Sequence, residues 1–178
     1  MNAAMLDTTD EVISAIRATL SRLTDPEIPV ITLEEMGILR DVRRGADAEP
    51  EVVITPTYSG CPAMGQIEDD VRAALQGMGF EGRVITQLSP AWTTDWMSEP
   101  AREKLRAYGI APPQCGSPAD TPAGVVKFSR HAVRHTAVPC PQCGSNNTTE
   151  TSPFGSTACK ALFKCLHCLE PFDYFKPY

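Results

Sequence analysis

Four cysteines in two pairs constrain this chain more than any other feature. Cys140-Pro-Gln-Cys143 and Cys165-Leu-His-Cys168 share one spacing, with two residues between the cysteines. Such a pair aims both sulfurs at one ion while backbone N–H groups of the tight turn hydrogen-bond the thiolates. Gly144, directly after the first pair, suits that turn. Two such knuckles at the tips of hairpins face each other around a tetrahedral ion, the arrangement of a zinc ribbon. Phe172-Asp173-Tyr174-Phe175 predicts a strand that packs aromatics beneath the site. A segment this small buries too little surface to fold alone, so the metal is expected to supply much of its stability. A closed set of four thiolates points to structural zinc; an iron–sulfur cluster is the other centre that Cys140, Cys143, Cys165 and Cys168 satisfy.

Seven cysteines in all, an odd number, argue against a complete disulfide framework. Cys159 reads either as a small buried hydrophobe or as a spare ligand, and Cys115 stands alone in a Pro-rich stretch. His167 inside the second knuckle reads as a solvent-facing loop residue, and His131 and His135 as surface histidines. Net charge is -6 and the pI about 5.1, a balance that disfavours nucleic acid as a partner, because phosphate neutralisation needs clustered Lys and Arg. No apolar run is long enough to span a bilayer, and Met1 to Asp10 lack the basic flank and apolar core of a signal peptide. The expected location is the cytoplasm.

Hydrophobic residues make up 42% of the chain, enough for a packed core. Apolar periodicity predicts helices over Asp10–Leu23, Ala63–Met78 and Ser98–Tyr108, the second stopped by Gly79, the third capped by Ser98 and ended by Gly109. Ile38–Arg43 and Val52–Thr57 predict a hairpin, and Arg83–Leu88 a third strand. Thr32-Leu33-Glu34-Glu35 has the spacing of a capping box. The prolines of residues 111–124 mark a linker. Beyond it, Val125–Phe128 and Ala132–Val138 read as short strands. The expected organisation is an α+β domain over residues 8–110, a linker over 111–124 and a four-cysteine β-ribbon over 125–178.

Three stretches of the first domain do not read as core packing. Asp25-Pro26-Glu27 is an acidic loop whose carboxylates either ligate metal or cap and solubilise the loop. Thr55-Pro56-Thr57-Tyr58-Ser59-Gly60-Cys61-Pro62 joins a strand to a helix. Cys61 thereby falls at or next to a helix N-terminus, where the macrodipole and free N–H groups stabilise a thiolate. Such a cysteine is a nucleophile, a redox centre or a soft-metal ligand. Trp92 to Met97 puts two tryptophans in a loop, as a partner surface or a hydrophobic lid, with Asp95 between them.

The combination of Asp25-Pro26-Glu27-Ile28-Pro29-Val30, Gly37-Ile38, Gly60-Cys61-Pro62 and Trp92 through Arg102 resembles the iron–sulfur assembly family. That family includes SufT-like proteins and the cytosolic iron–sulfur targeting subunit of eukaryotes. The resemblance covers about residues 10 to 110 and implies a compact α+β fold with Cys61 as the family's characteristic thiol. With the C-terminal cysteines and Phe154 to Lys160 added, the whole chain resembles the D-component family of bacterial phenylacetyl-CoA epoxidase systems. That resemblance implies an accessory role in maturing the metal centres, iron–sulfur or di-iron, of a multicomponent oxygenase. Its partners are then the oxygenase and reductase components, and iron or a cluster is held transiently at Cys61. Thr57, Asp25, Glu27 and Asp95 are candidate co-ligands or site-lining residues. One cysteine cannot hold a cluster, so a homodimer pairing two Cys61 residues is a corollary. A second reading is a structural or electron-transfer subunit with Cys61 inert. A cysteine-nucleophile enzyme is disfavoured, because the first domain contains no histidine to serve as base. Dinucleotide, P-loop and di-iron ligand patterns are likewise missing.

Overall fold

The computed structural model describes residues 9–114 and 137–178. Contacts divide the chain into two units, residues 1–104 and 105–178.

In the first unit, α1 (Thr9–Leu20) buries Ile16 and Leu20. β1 (Leu39–Arg44) and β2 (Pro50–Ile54) form the expected antiparallel hairpin, and β3 (Arg83–Thr86) joins β2 in parallel. The parallel step requires a crossover, which α2 (Met64–Gly77) supplies. Ile67, Val71 and Leu75, four apart, form its buried stripe. The helix ends as the sequence predicts. Gly79 takes φ +85°, the Phe80 N–H donates to the Leu75 carbonyl at 3.0 Å, and the Gly79 N–H donates to that of Gln76 at 2.9 Å. β2 contributes Val52, Val53 and Ile54 to a core shared with Ile31, Leu33, Met36 and Ile38.

Thr32 and Glu35 close the capping box reciprocally, at 3.0 Å and 3.1 Å. A 3-10 turn, Thr94–Trp96, precedes α3 (Glu99–Tyr108), whose start is capped by the Ser98 hydroxyl accepting from the Ala101 N–H. Gly37 must lack a side chain. It lies at φ +76°, and a Cβ there would stand 2.8 Å from the Trp96 Cβ and carbonyl oxygen.

The second unit holds a four-stranded sheet in the order β4-β7-β6-β5: β4 (Ile110–Ala111), β5 (Thr148–Ser152), β6 (Lys160–Cys165) and β7 (Pro171–Phe175). β5, β6 and β7 are antiparallel neighbours, and β4 runs parallel to β7. Here the structure differs from the expected boundary at residue 110. Ile110 and Ala111 are strand residues of the second sheet, because pairing with Asp173 and Tyr174 satisfies their backbone before the prolines forbid further pairing. The expected strand Val125–Phe128 lies outside the described residues, as does most of Ala132–Val138. Its last two residues are described and are not strand.

Candidate metal centre

The second knuckle sits at strand ends, and the first in the turn ahead of β5. Cys165 is the last residue of β6, and Cys168 lies in the turn to β7. In the first knuckle the Gly144 N–H donates to the Cys140 carbonyl at 2.8 Å, with Gly144 at φ +72° as its sequence position suggests. The four sulfurs of Cys140, Cys143, Cys165 and Cys168 lie within 4.8 Å of one another. Cys140 and Cys168 are 3.7 Å apart at sulfur, and Cys143 and Cys165 3.6 Å. A tetrahedral zinc with bonds of about 2.3 Å separates its sulfurs by roughly 3.8 Å. The geometry and the donor set therefore fit zinc. Beneath the site, Phe163 packs on Phe172 with ring centroids 5.9 Å apart and edge-on to Tyr174 at 5.4 Å.

Backbone dipoles prepare Cys165 ahead of Cys143 and Cys168. The N–H groups of Cys168 and His167 point at the Cys165 sulfur, each at 3.4 Å. The first of these leads in pulling its thiol down to about 6, against burial. Cys168 moves the other way. The Glu170 N–H favours its thiolate, but burial and the neighbouring sulfurs of Cys143, Cys165 and Cys140 outweigh that and push the thiol up to about 12. Cys143 is also raised, with burial and the sulfurs of Cys165 and Cys140 overriding its bond from the Ser145 N–H. His167 is exposed, as expected of a loop residue. Cys159 is buried, 3.0 Å from the Thr157 hydroxyl, and is not among the four clustered sulfurs. Cys115 lies outside the described residues.

The residues singled out in the first unit occupy different environments. Asp25 is only 7% exposed, and its Oδ1 accepts from the Glu27 and Ile28 N–H groups at 2.7 and 2.9 Å, so the carboxylate caps its own loop. Glu27 is half-buried and Asp95 exposed on the 3-10 turn. Cys61 is half-buried. Its N–H donates to the Tyr58 carbonyl, and its own carbonyl accepts from Met64 at 3.4 Å. Helix α2 starts at Met64, so Pro62 and Ala63 separate Cys61 from it, and the macrodipole acts on the thiol more weakly than at the helix end. Thr57 is buried, and Thr55, 1% exposed, carries a hydroxyl with no hydrogen-bond partner among the described residues. Periodicity could not have singled out Thr55, since an orphaned atom is a property of the packed surroundings. Trp92 is buried with its indole N–H on the Met36 carbonyl at 3.0 Å, and Trp96 carries the Arg40 guanidinium 3.5 Å above its ring.

Comparison with known proteins places the chain. A relative from Escherichia coli strain K12, provisionally named as the D component of 1,2-phenylacetyl-CoA epoxidase, is 49% identical over 162 residues, 90% of each chain. Residues 127–176 match the model of the PaaD zinc beta ribbon domain. The chain belongs to the PaaD family. The PaaD ribbon match includes all four clustered cysteines. Residues 13–85 match a second model, described as an iron-sulfur cluster assembly protein, which takes in Asp25, Glu27, Thr57 and Cys61 but ends before Asp95. A Porphyromonas gingivalis protein named Fe-S protein maturation auxiliary factor is 34% identical over 107 residues, 59% of this chain and 97% of its own. A solved structure from Bacillus anthracis, described as a domain of unknown function DUF59, is 27% identical and covers 54% of this chain and 92% of its own, with a TM-score of 0.49. PaaD chains thus join an assembly-type domain to a zinc ribbon whose four cysteines are positioned to bind metal. No described helix is long and apolar enough to cross a membrane.

Proposed function

We propose that this protein is a cytoplasmic accessory factor that matures the metal centres of a phenylacetyl-CoA epoxidase, and is not itself the catalyst of ring epoxidation. Iron or an iron–sulfur cluster is the cargo and passes through Cys61 to the oxygenase or reductase component. The observation that carries this reading is the Thr55–Cys61 segment within the assembly-type match. It presents a half-buried thiol in a loop and, six residues before it, a buried hydroxyl with no partner among the described residues. An unpaired buried hydroxyl costs about 1–3 kcal/mol, which stability alone gives no reason to retain. Thr57, Asp25, Glu27 and Asp95 are proposed as further groups around the cargo. Asp25 Oδ1 is engaged in capping its loop, so its share is to hold the loop in shape. Because one thiolate leaves most positions of an iron centre open, the remaining ligands come from the client or from a second copy of the chain.

Co-expression of the epoxidase components with Cys61→Ser tests the reading. Serine fits the same turn, so the variant is expected to fold and accumulate normally while the epoxidase it accompanies lacks metal and activity. Full activity at matched expression would leave the protein a structural or electron-transfer subunit with an inert Cys61.

A further inference from the structure

The four sulfurs of the metal centre belong to residues that are unequally covered. Cys140 is 2% and Cys165 0% exposed, whereas Cys168 is half-buried and Cys143 exposed. A local difference accompanies this between the two second cysteines. In each knuckle the residue that follows takes the left-handed conformation, Gly144 at φ +72° and Leu169 at φ +69°. Glycine enters that region freely, whereas leucine is strained there, and Leu169 is itself exposed. Cys168 thus has a neighbour with a long side chain. Cys143 has one with none, and a Cβ added at Gly144 would meet nothing within 4 Å. A bound ion turns all four sulfurs into thiolates. Of these, Cys143 is the one open to a small reagent from solvent.

Two sulfur contacts cross from one knuckle to the other, Cys143 to Cys165 at 3.6 Å and Cys140 to Cys168 at 3.7 Å. Cys165, the neighbour of the open sulfur, is held by the N–H groups of His167 and Cys168. We propose that Cys143 is an oxidation site for hydrogen peroxide, and that its oxidation ends in a Cys143–Cys165 disulfide across the knuckles. First, the Cys143 thiolate attacks one peroxide oxygen. The S–O bond of a sulfenic acid forms, the O–O bond breaks and the other oxygen leaves as hydroxide. Next, the Cys165 thiolate attacks the Cys143 sulfur. The S–S bond forms, the S–O bond breaks and a second hydroxide leaves. The two sulfurs give up two electrons and the peroxide takes them. To bond, the sulfurs close from 3.6 Å to about 2.05 Å. Cys140 and Cys168 alone cannot complete a tetrahedral site, so zinc is lost. The first knuckle precedes β5 and the second ends β6, so the disulfide replaces the ion as the link between the two ends of that hairpin. The ribbon thereby yields its metal under oxidation without coming apart, and recovers it on reduction.

The full-length, zinc-loaded protein is to be titrated with hydrogen peroxide, with zinc release followed by a metal-sensitive dye. Free thiols are alkylated at each step and the disulfides mapped by peptide mass spectrometry. Zinc is expected to leave in proportion to a peptide pair linking Cys143 to Cys165, reaching about one ion per chain, while Cys140 and Cys168 are recovered alkylated. The bridged ribbon is expected to keep its protease resistance after residue 138, and to take up zinc again once a dithiol reductant is supplied. A disulfide within either knuckle overturns the proposal, as does zinc loss with Cys143 driven to sulfinic acid and no bridge. Zinc retained while Cys61 is oxidised also overturns it, because the reactive thiol then lies in the first unit. Proteolysis of the bridged ribbon means that the disulfide does not replace the ion, and the proposal fails. None of these readouts involves an epoxidase component, so the maturation reading stands or falls separately on the Cys61→Ser co-expression.

Discussion

At neutral pH the Cys165 thiol, drawn down to about 6, is already a thiolate, while Cys168, pushed up to about 12, keeps its proton. A metal ion therefore meets one prepared ligand and must displace protons from Cys168 and the raised Cys143. Protons compete with the ion, so affinity falls as pH falls, and a thiol with a raised value goes on yielding affinity well above neutrality. Zinc binding at pH 7 is expected to release protons, measurable as a dependence of the calorimetric heat on the buffer's ionisation enthalpy. Buffer-independent heat would mean that all four sulfurs are thiolates beforehand.

Among the elements, the Thr32–Glu35 capping box reaches further than its own turn. Glu35 also receives the Lys104 ammonium at 2.7 and 2.8 Å, and its backbone carbonyl accepts from the Ser98 N–H, so one turn ties to the start of α3. Burial pushes the Glu35 carboxyl up, but the bonds from Lys104 and Thr32 outweigh it and hold the group below its ordinary 4.5. A depressed carboxylate contributes fully above its unfolded value and loses that contribution as pH falls through the folded one. Glu35→Ala is expected to cost about 1 kcal/mol at pH 7. Denaturant melts should show that difference shrinking as pH is lowered below 4.5. The knuckles depend on metal in a different way. Cys143→Ser or Cys168→Ser leaves three thiolates, and structural zinc supplies of order 10 kcal/mol to a ribbon of this kind. Limited proteolysis is expected to cut the segment after residue 138 in either variant while residues 10–104 resist; an uncut ribbon would mean that its aromatic layer suffices without the ion.

For the whole molecule, the expected phenotype is a client without its metal. A deletion strain should accumulate oxygenase that is folded but short of iron, and supplying iron in vitro, with cluster for the reductase, should restore activity in the absence of this protein. The purified chain should contain close to one zinc and turn over no phenylacetyl-CoA. If metal-replete components still require the chain during turnover, it serves as a working part of the catalytic complex.

Local patterns in the sequence determined the three helices, the β1–β2 hairpin and the grouping of the four cysteines. Cysteine spacing and one glycine fix a knuckle because both ligands and their N–H donors lie within a few residues, and helix stripes, caps and stops act within a turn or two. The Gly79 stop, the Ser98 cap and the Thr32–Glu35 box were all legible for that reason. Tertiary structure decided what depends on residues far apart in the chain. Trp92 reads as a loop aromatic until the Met36 carbonyl, 56 positions away, takes its N–H. Ile110 and Ala111 read as the end of a domain until β7 offers them an edge. The orphaned Thr55 hydroxyl and the strained, exposed Leu169 are visible only once the backbone is folded, because neither a missing partner nor a backbone angle is written in residue type.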